Sequence, residues 1–116
     1  MKFNLYGLAK HLWPINRSLT GEGNKITLNI LKKINHFLKI KKVRSNTKVS
    51  DWKIPLEWNV RDAFIKNHQG EKIVDFKKNN LHLMGYSIPF KGKLNYENLK
   101  NRIKFIKSKP NSIPYT

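Results

Sequence analysis

Phe3, Leu5, Leu8, Leu12 and Trp13 recur near helical spacing, which predicts a short amphipathic helix over residues 3–12 that Pro14 brings to an end. Residues 14–23 carry two glycines and small polar side chains and read as an ordered loop. From Asn24, a residue suited to N-capping, Leu28, Leu31, Ile34, Phe37 and Leu38 mark one face of a second helix over 24–37. Lys25, Lys32 and Lys33 lie on its other face.

After Leu38 the helical period gives way to alternation. Ile40 and Val43 stand between lysines, Ser45-Asn46 signals a turn, and Val49 to Trp52 resumes as a strand. Beyond Pro55, the spacing of Trp58, Val60, Ala63 and Ile65 predicts a strand with a bulge near Arg61-Asp62, then a turn over 67–70. Ile73, Val74 and Phe76 form the return strand of that hairpin. Leu81 to Phe90 reads as a further strand whose end Pro89 keeps off a sheet centre. A third helix is predicted over 96–107: Asn95 can cap it, Glu97 suits its first turn, Leu94 can staple to Leu99, and Leu99, Ile103 and Ile106 supply an apolar stripe. Ile113 and Tyr115 in the extended tail are expected to pack. The order is two helices, about 4–6 mainly antiparallel strands, then one helix, an α+β chain by layer logic. Trp52, Trp58, Phe76 and Tyr86 are its expected β-core, with the two leading helices in a separate layer.

The chain has 116 residues, enough for one small domain with a core. It contains no cysteine, which excludes disulfide scaffolds, thiolate metal sites and a cysteine nucleophile. No apolar run is long enough for a membrane span, and residues 1–13 lack a signal-peptide pattern, so a soluble cytoplasmic protein is expected. The formal charge of +17 suggests an anionic partner, but only Arg17, Arg44, Arg61 and Arg102 are arginines. Readers of phosphates and bases lean on the bidentate guanidinium. Lysine here also accompanies abundant Asn and Ile, all encoded by AT-rich codons, so a dedicated nucleic-acid surface is not favoured.

Candidate chemistry is sparse. His11, His36, His68 and His82 lack partners at metal-ligand spacing, and Asp51, Glu57, Asp62 and Asp75 sit among lysines, where ion pairing is the ordinary role. Ser18 with His11 or His36 would make a nucleophile and base, yet no nucleophile-elbow sequence surrounds it. Gly21-Glu22-Gly23 before a helix, with Arg17 nearby, suits an anion at a helix N-terminus, though it lacks the P-loop Lys-Ser/Thr and follows no strand. Glycines serving a tight loop explain it more simply. Trp52 and Trp58 bracket Pro55, and with Tyr86 they are either core aromatics or, if exposed, a stacking platform for bases or sugars.

Several segments together resemble one family. Leu-Trp-Pro-Ile-Asn-Arg-Ser-Leu-Thr-Gly-Glu-Gly over 12–23, Thr27-Leu28, Ile30-Leu31, the stretch 47–63 with its Asp-Trp-Lys-Ile-Pro-Leu-Glu-Trp, residues 70–81 and Tyr86-Ser87 are similar, in order, to the start of the bacterial aminopeptidase-like proteins. The resemblance implies a large zinc-peptidase fold with a β-rich domain of unknown function inserted near its N-terminus, often encoded among surface-polysaccharide genes. It divides this chain into a helical segment 1–38, an inserted domain 39–93, and a helix and tail 94–116 leading toward a catalytic sheet. Arg17, Ser18, Thr20, Gly21 and Gly23 then form a loop near the parent site. The family's zinc ligands belong to a His-x-x-His-Pro-like stretch and an Ala-Asn-Asp-like stretch, neither present here. No catalytic, cofactor-binding or metal residue is therefore carried over, and zinc is implied for full-length relatives only.

The expected function is that of a truncated, non-catalytic N-terminal segment of such a protein. A separately encoded remainder of the fold, or self-association through Leu8, Leu12, Leu31, Ile34, Ile103 and Ile106, is its expected partner. The alternative is a stand-alone basic α+β module binding nucleic acid, acidic polysaccharide or a membrane surface. A small hydrolase using Ser18 or a histidine is a third reading.

Overall fold

Residues 4–114 are described by a computed structural model of the chain. Phe3, expected to open the first helix, and Tyr115, expected to pack, lie outside them. The elements are α1 (Leu5–Leu12), α2 (Glu22–Ile34), β1 (Lys48–Val49), β2 (Trp52–Lys53), β3 (Phe64–Lys66), β4 (Lys72–Asp75), a 3-10 turn (Asn80–His82) and α3 (Tyr96–Lys100). The class is α+β as expected, with four short strands paired as two separate antiparallel hairpins, β1 with β2 and β3 with β4. The chain divides into two compact units, one ending at Tyr86 and the other beginning at Ser87.

In the first unit α1 starts where Asn4 Oδ1 accepts from Gly7 N at 3.0 Å. Helix α2 differs from expectation at both ends. Its N-cap is Gly21, and Asn24 lies inside the helix with Nδ2 donating back to the carbonyls of Ser18 and Leu19. It stops at Ile34 because Asn35 turns extended and its Oδ1 accepts from Phe37 N, leaving Phe37 94% exposed rather than on a helix face. A side-chain-to-backbone turn here outcompetes the next helical bond.

The β3–β4 hairpin forms around the predicted 67–70 turn. Asn67 Oδ1 accepts from Gln69 N and Glu71 N, and Gly70 takes φ +87°, where a side chain would be strained. The irregularity in its register falls between Ile65 and Lys66, not near Arg61-Asp62, and the strand is correspondingly shorter. Residues 39–44 form no ladder. Nor does Leu81–Phe90: Asn79 Oδ1 accepts from Leu81 N and tightens 80–82 into the 3-10 turn, while Tyr86 takes φ +63°, incompatible with a strand. In the second unit Asn95 caps α3 as predicted, its Oδ1 accepting from Asn98 N, and Arg102 lies over the Phe90 ring. The helix closes after one turn and a half, since Ile103 and Ile106 remain 37% exposed and an isolated segment gains little from propensity alone.

The expected β-core is not present. Trp52 is 53% and Tyr86 38% exposed, Trp58 and Phe76 are partly buried, and among the described residues no apolar side chain is buried. Contacts between elements run mainly within the hairpins and from β4 to the 3-10 turn, so the helices and strands do not make the expected two layers.

The one buried residue among the described residues is charged. Asp75 closes β4, accepting from Lys72 Nζ at 3.1 Å and Lys77 N at 3.0 Å, while its carbonyl accepts from Lys78 N and Asn79 N. Burial pushes the Asp75 carboxyl up, but the hydrogen bonds from Lys72 and Lys77 N and the charges of Lys72 and Lys78 outweigh it, leaving the pKa below the ordinary 3.8. A depressed folded pKa contributes stability that is complete above the ordinary value and is lost as pH falls through the folded one. Asp75 is accordingly expected to titrate below 3.8 by carboxyl NMR. Asp75→Asn should lower the unfolding midpoint near neutrality and flatten its decline below about pH 4.

Candidate functional site

The loop joining α1 to α2 is held by a segment 36 to 40 residues further along the chain. Thr20 Oγ1 donates to the Leu56 carbonyl at 2.8 Å, and Tyr86 Oη lies 2.9 Å from the same hydroxyl oxygen. With the Thr20 proton given to Leu56, Tyr86 is the donor to Thr20. Trp58 N donates to the Thr20 carbonyl at 3.2 Å, and Ser18 Oγ faces the carbonyls of both Thr20 and Trp58. The Trp58 and Tyr86 rings stack with centroids 5.8 Å apart and planes 26° from parallel. These contacts hold Tyr86 in its left-handed backbone conformation, which a bulky residue seldom adopts.

Both loop glycines are required by close backbone approach. A Cβ on Gly23 would fall 1.8 Å from the Asn16 carbonyl oxygen, and one on Gly21 would fall 2.6 Å from that of Trp58. Because Gly21 has no side chain to cap α2, the free N–H of Glu22 is satisfied by Asn59 Oδ1 at 2.7 Å. The Gly-Glu-Gly helix start thus receives a neutral side-chain oxygen from its own fold.

Of the residues singled out in the sequence, Ser18, Thr20, Gly21, Trp58 and Tyr86 converge here. Gly23 packs against Asn16, Arg17 Nη1 donates to the Leu12 carbonyl at 2.8 Å, and Trp52 sits apart in the β1–β2 hairpin opposite Val49. Sequence reasoning missed Asn59, which no local motif marks as the cap of a helix 37 residues earlier. It also missed Asn80, whose Nδ2 donates to the Trp13 carbonyl at 3.1 Å.

Chemically this constellation is a latch. The Ser18 hydroxyl is engaged by main-chain carbonyls, an arrangement without a general base. Among the described residues no three of His, Cys, Asp and Glu gather as a metal site would require. Asp62, Asp75, Glu22 and Glu97 pair with Lys77, Lys72, Lys25 and Lys100 respectively. Two open depressions of about 260 and 160 Å³ meet at Trp13 and Asn80, both smaller than the usual small-molecule pocket. No helix among the described residues is long and apolar enough to cross a membrane.

The described residues form an α+β chain latched through a Thr-Gly-Glu-Gly loop, with no apolar side chain fully buried. The model of a family described as "Domain of unknown function (DUF2172)" matches residues 57–116, and the chain belongs to that family. Over 112 residues it is 45% identical to a Clostridium acetobutylicum protein named "Putative polysaccharide biosynthesis protein with aminopeptidase-like domain", covering 96% of this chain and 25% of the relative. It is also similar to a crystal structure of a "putative peptidase" from Clostridium acetobutylicum, with 44% identity and a TM-score of 0.83 over 90% of this chain and 24% of that one. The chain therefore spans about a quarter of the length of these relatives. The resemblance read from the sequence is borne out.

Substitutions in the latch separate its parts. Gly23→Ala places a methyl on the Asn16 carbonyl and is expected to destabilise by about 3 kcal/mol, the upper range for overpacking. Asn59→Ala should cost about 1 kcal/mol through loss of the α2 cap, while Asn59→Asp, which keeps an acceptor oxygen, should cost less. Thermal unfolding followed by circular dichroism measures all three.

Proposed function

We propose that this chain is a non-catalytic, N-terminal portion of an aminopeptidase-like protein that acts in surface-polysaccharide biosynthesis in the cytoplasm. The observation that carries this reading is the partial match: the chain aligns along nearly its whole length with only a quarter of a relative whose name joins polysaccharide biosynthesis to an aminopeptidase-like domain. The side-chain chemistry is in keeping with it, since Ser18, Thr20 and Tyr86 spend their hydroxyls on the latch. Its role is to supply folded structure to the parent protein, whose reaction belongs to other residues. The purified chain is expected to hold no stoichiometric zinc by metal analysis and to release no amino acid from aminopeptidase substrates. Turnover that disappears on chelation would overturn this reading.

One local observation favours a second reading, binding of anionic polymers. In the β1–β2 hairpin Lys48 lies directly opposite Lys53, and the neighbouring Trp52 is 53% exposed. Like charges facing one another oppose hairpin formation, and an anion placed between them would relieve that repulsion. On this reading an acidic polysaccharide binds with an affinity that falls steeply with salt, and Trp52→Ala weakens it several-fold. Retention on the polymer that is unaffected by Trp52→Ala would remove it.

A further inference from the structure

The turn at Asn35 that ends α2 leads into the most basic stretch of the chain. Six of the thirteen residues from Lys32 to Arg44 are Lys or Arg, against 24 in all 116, and no Asp or Glu occurs between Glu22 and Asp51. Bias toward AT-rich codons raises lysine along the whole chain; it does not gather basic residues into one stretch free of acids. Among the described residues the ion pairs fall at Glu22, Asp62, Asp75 and Glu97, and none involves Lys32, Lys33, Lys39, Lys41, Lys42 or Arg44. Burial alternates along the segment. Leu38 and Ile40 are half-buried, while Phe37, Lys39 and Lys41 are exposed, a period of two that sets the ring and the lysines on the same outward side. Phe37 is held there by the Asn35 side chain, which accepts from its N–H at 3.1 Å, and its ring has almost no cover, at 94% exposure. Lys42, Val43 and Arg44 are exposed beyond it.

We propose that residues 32–44 bind the surface of an anionic lipid bilayer, with the lysines on the headgroups and the Phe37 ring at the acyl boundary. Clusters of about four to eight Lys and Arg attract an anionic leaflet, and lasting attachment takes an apolar element beside such a patch. Charge complementarity selects this occupant. A lipid surface draws Lys and Arg alike as point charges, whereas nucleic-acid readers lean on the bidentate guanidinium, and Arg44 is the one arginine of this stretch. A second copy of the chain brings another +17 charges to the contact. An acidic polysaccharide matches the lysines but has no hydrocarbon to cover the Phe37 ring, which a bilayer supplies beside its charge. The attachment is peripheral, since no helix among the described residues is long and apolar enough to cross a membrane. It is independent of the functional reading above, because the whole stretch lies within the first unit.

The test is co-sedimentation of the 116-residue chain with vesicles of phosphatidylcholine alone and of phosphatidylcholine with about 30% phosphatidylglycerol. Binding is expected to the anionic vesicles and not to the neutral ones, and to weaken as salt rises. Lys41→Glu with Lys42→Glu should lower the affinity roughly tenfold or more. Lys91→Glu with Lys93→Glu, the same change of net charge placed on exposed lysines of the second unit, should lower it less than about threefold. Phe37→Ala should lower it about fivefold, and Trp52→Ala should leave it unchanged, which separates this surface from the β1–β2 hairpin. All these positions are exposed, so each variant should keep the circular dichroism spectrum of the parent. Equal binding to neutral vesicles would overturn the proposal, as would equal losses from the two lysine pairs or full affinity in Phe37→Ala. Duplex DNA held through Lys41 and Lys42, with anionic vesicles sedimenting free of the chain, would assign the stretch to nucleic acid instead. Zinc content and turnover do not enter these readouts, so the functional reading and this surface stand or fall separately.

Discussion

The first unit depends on one constraint, the passage of the Thr20-Gly21 backbone directly beneath the main chain of residues 56–59. Gly21 is the hinge of that contact: a Cβ would meet the Trp58 carbonyl at 2.6 Å. Once the two strands of backbone are this close, everything nearby is fixed by donor and acceptor matching. Thr20 donates to Leu56 and receives Trp58 N on its carbonyl, and Glu22 N finds Asn59. Tyr86 then closes the latch, with its hydroxyl on Thr20 and its ring on Trp58. Each bond contributes only about 1 kcal/mol net. Their value lies in long reach, since they join chain positions from 18 to 86.

Hydrogen bonding takes this role because apolar burial does not. A domain of this length ordinarily gains its stability from a closed core, and here the described apolar side chains are at best partly buried. Elements are short for the same reason. Helix α3 has five residues and each strand four or fewer, because an element extends only while its apolar face finds something to cover. The charge adds to this. With 24 basic and 7 acidic side chains, most lysines have no acidic counterpart, and Lys10 and Lys66 rest on the rings of Tyr6 and Phe64.

The chain spans about a quarter of the length of its relatives, and the proposed function ties these features to that partial match. On the function proposed above, apolar positions would serve contacts beyond the matched quarter, and the hydrophobic pattern would promise more structure than these residues close. In the Thr-Gly-Glu-Gly loop, by contrast, Thr20 and Glu22 find their hydrogen-bond partners within the first unit. It was legible as a loop with special glycines, and the structure adds that the glycines serve backbone approach, with Arg17 turned to the Leu12 carbonyl.

The sequence by itself determined what depends on near neighbours. Pro14 bounds α1, Asn95 caps α3, and Asn67 with Gly70 makes the hairpin turn, since each acts through its own backbone and the next few residues. It also determined the family, because long ordered strings such as residues 12–23 identify a relative without any geometry. Only tertiary structure decided the start of α2, where Asn59 caps from 37 residues away and displaces Asn24 from the role its local sequence suits. It alone decided that Trp52 stands apart while Trp58 meets Tyr86, because periodicity marks a side chain as apolar without saying what is present to cover it. Period and propensity are properties of a segment, whereas burial and capping at a distance belong to whatever the rest of the fold brings to it.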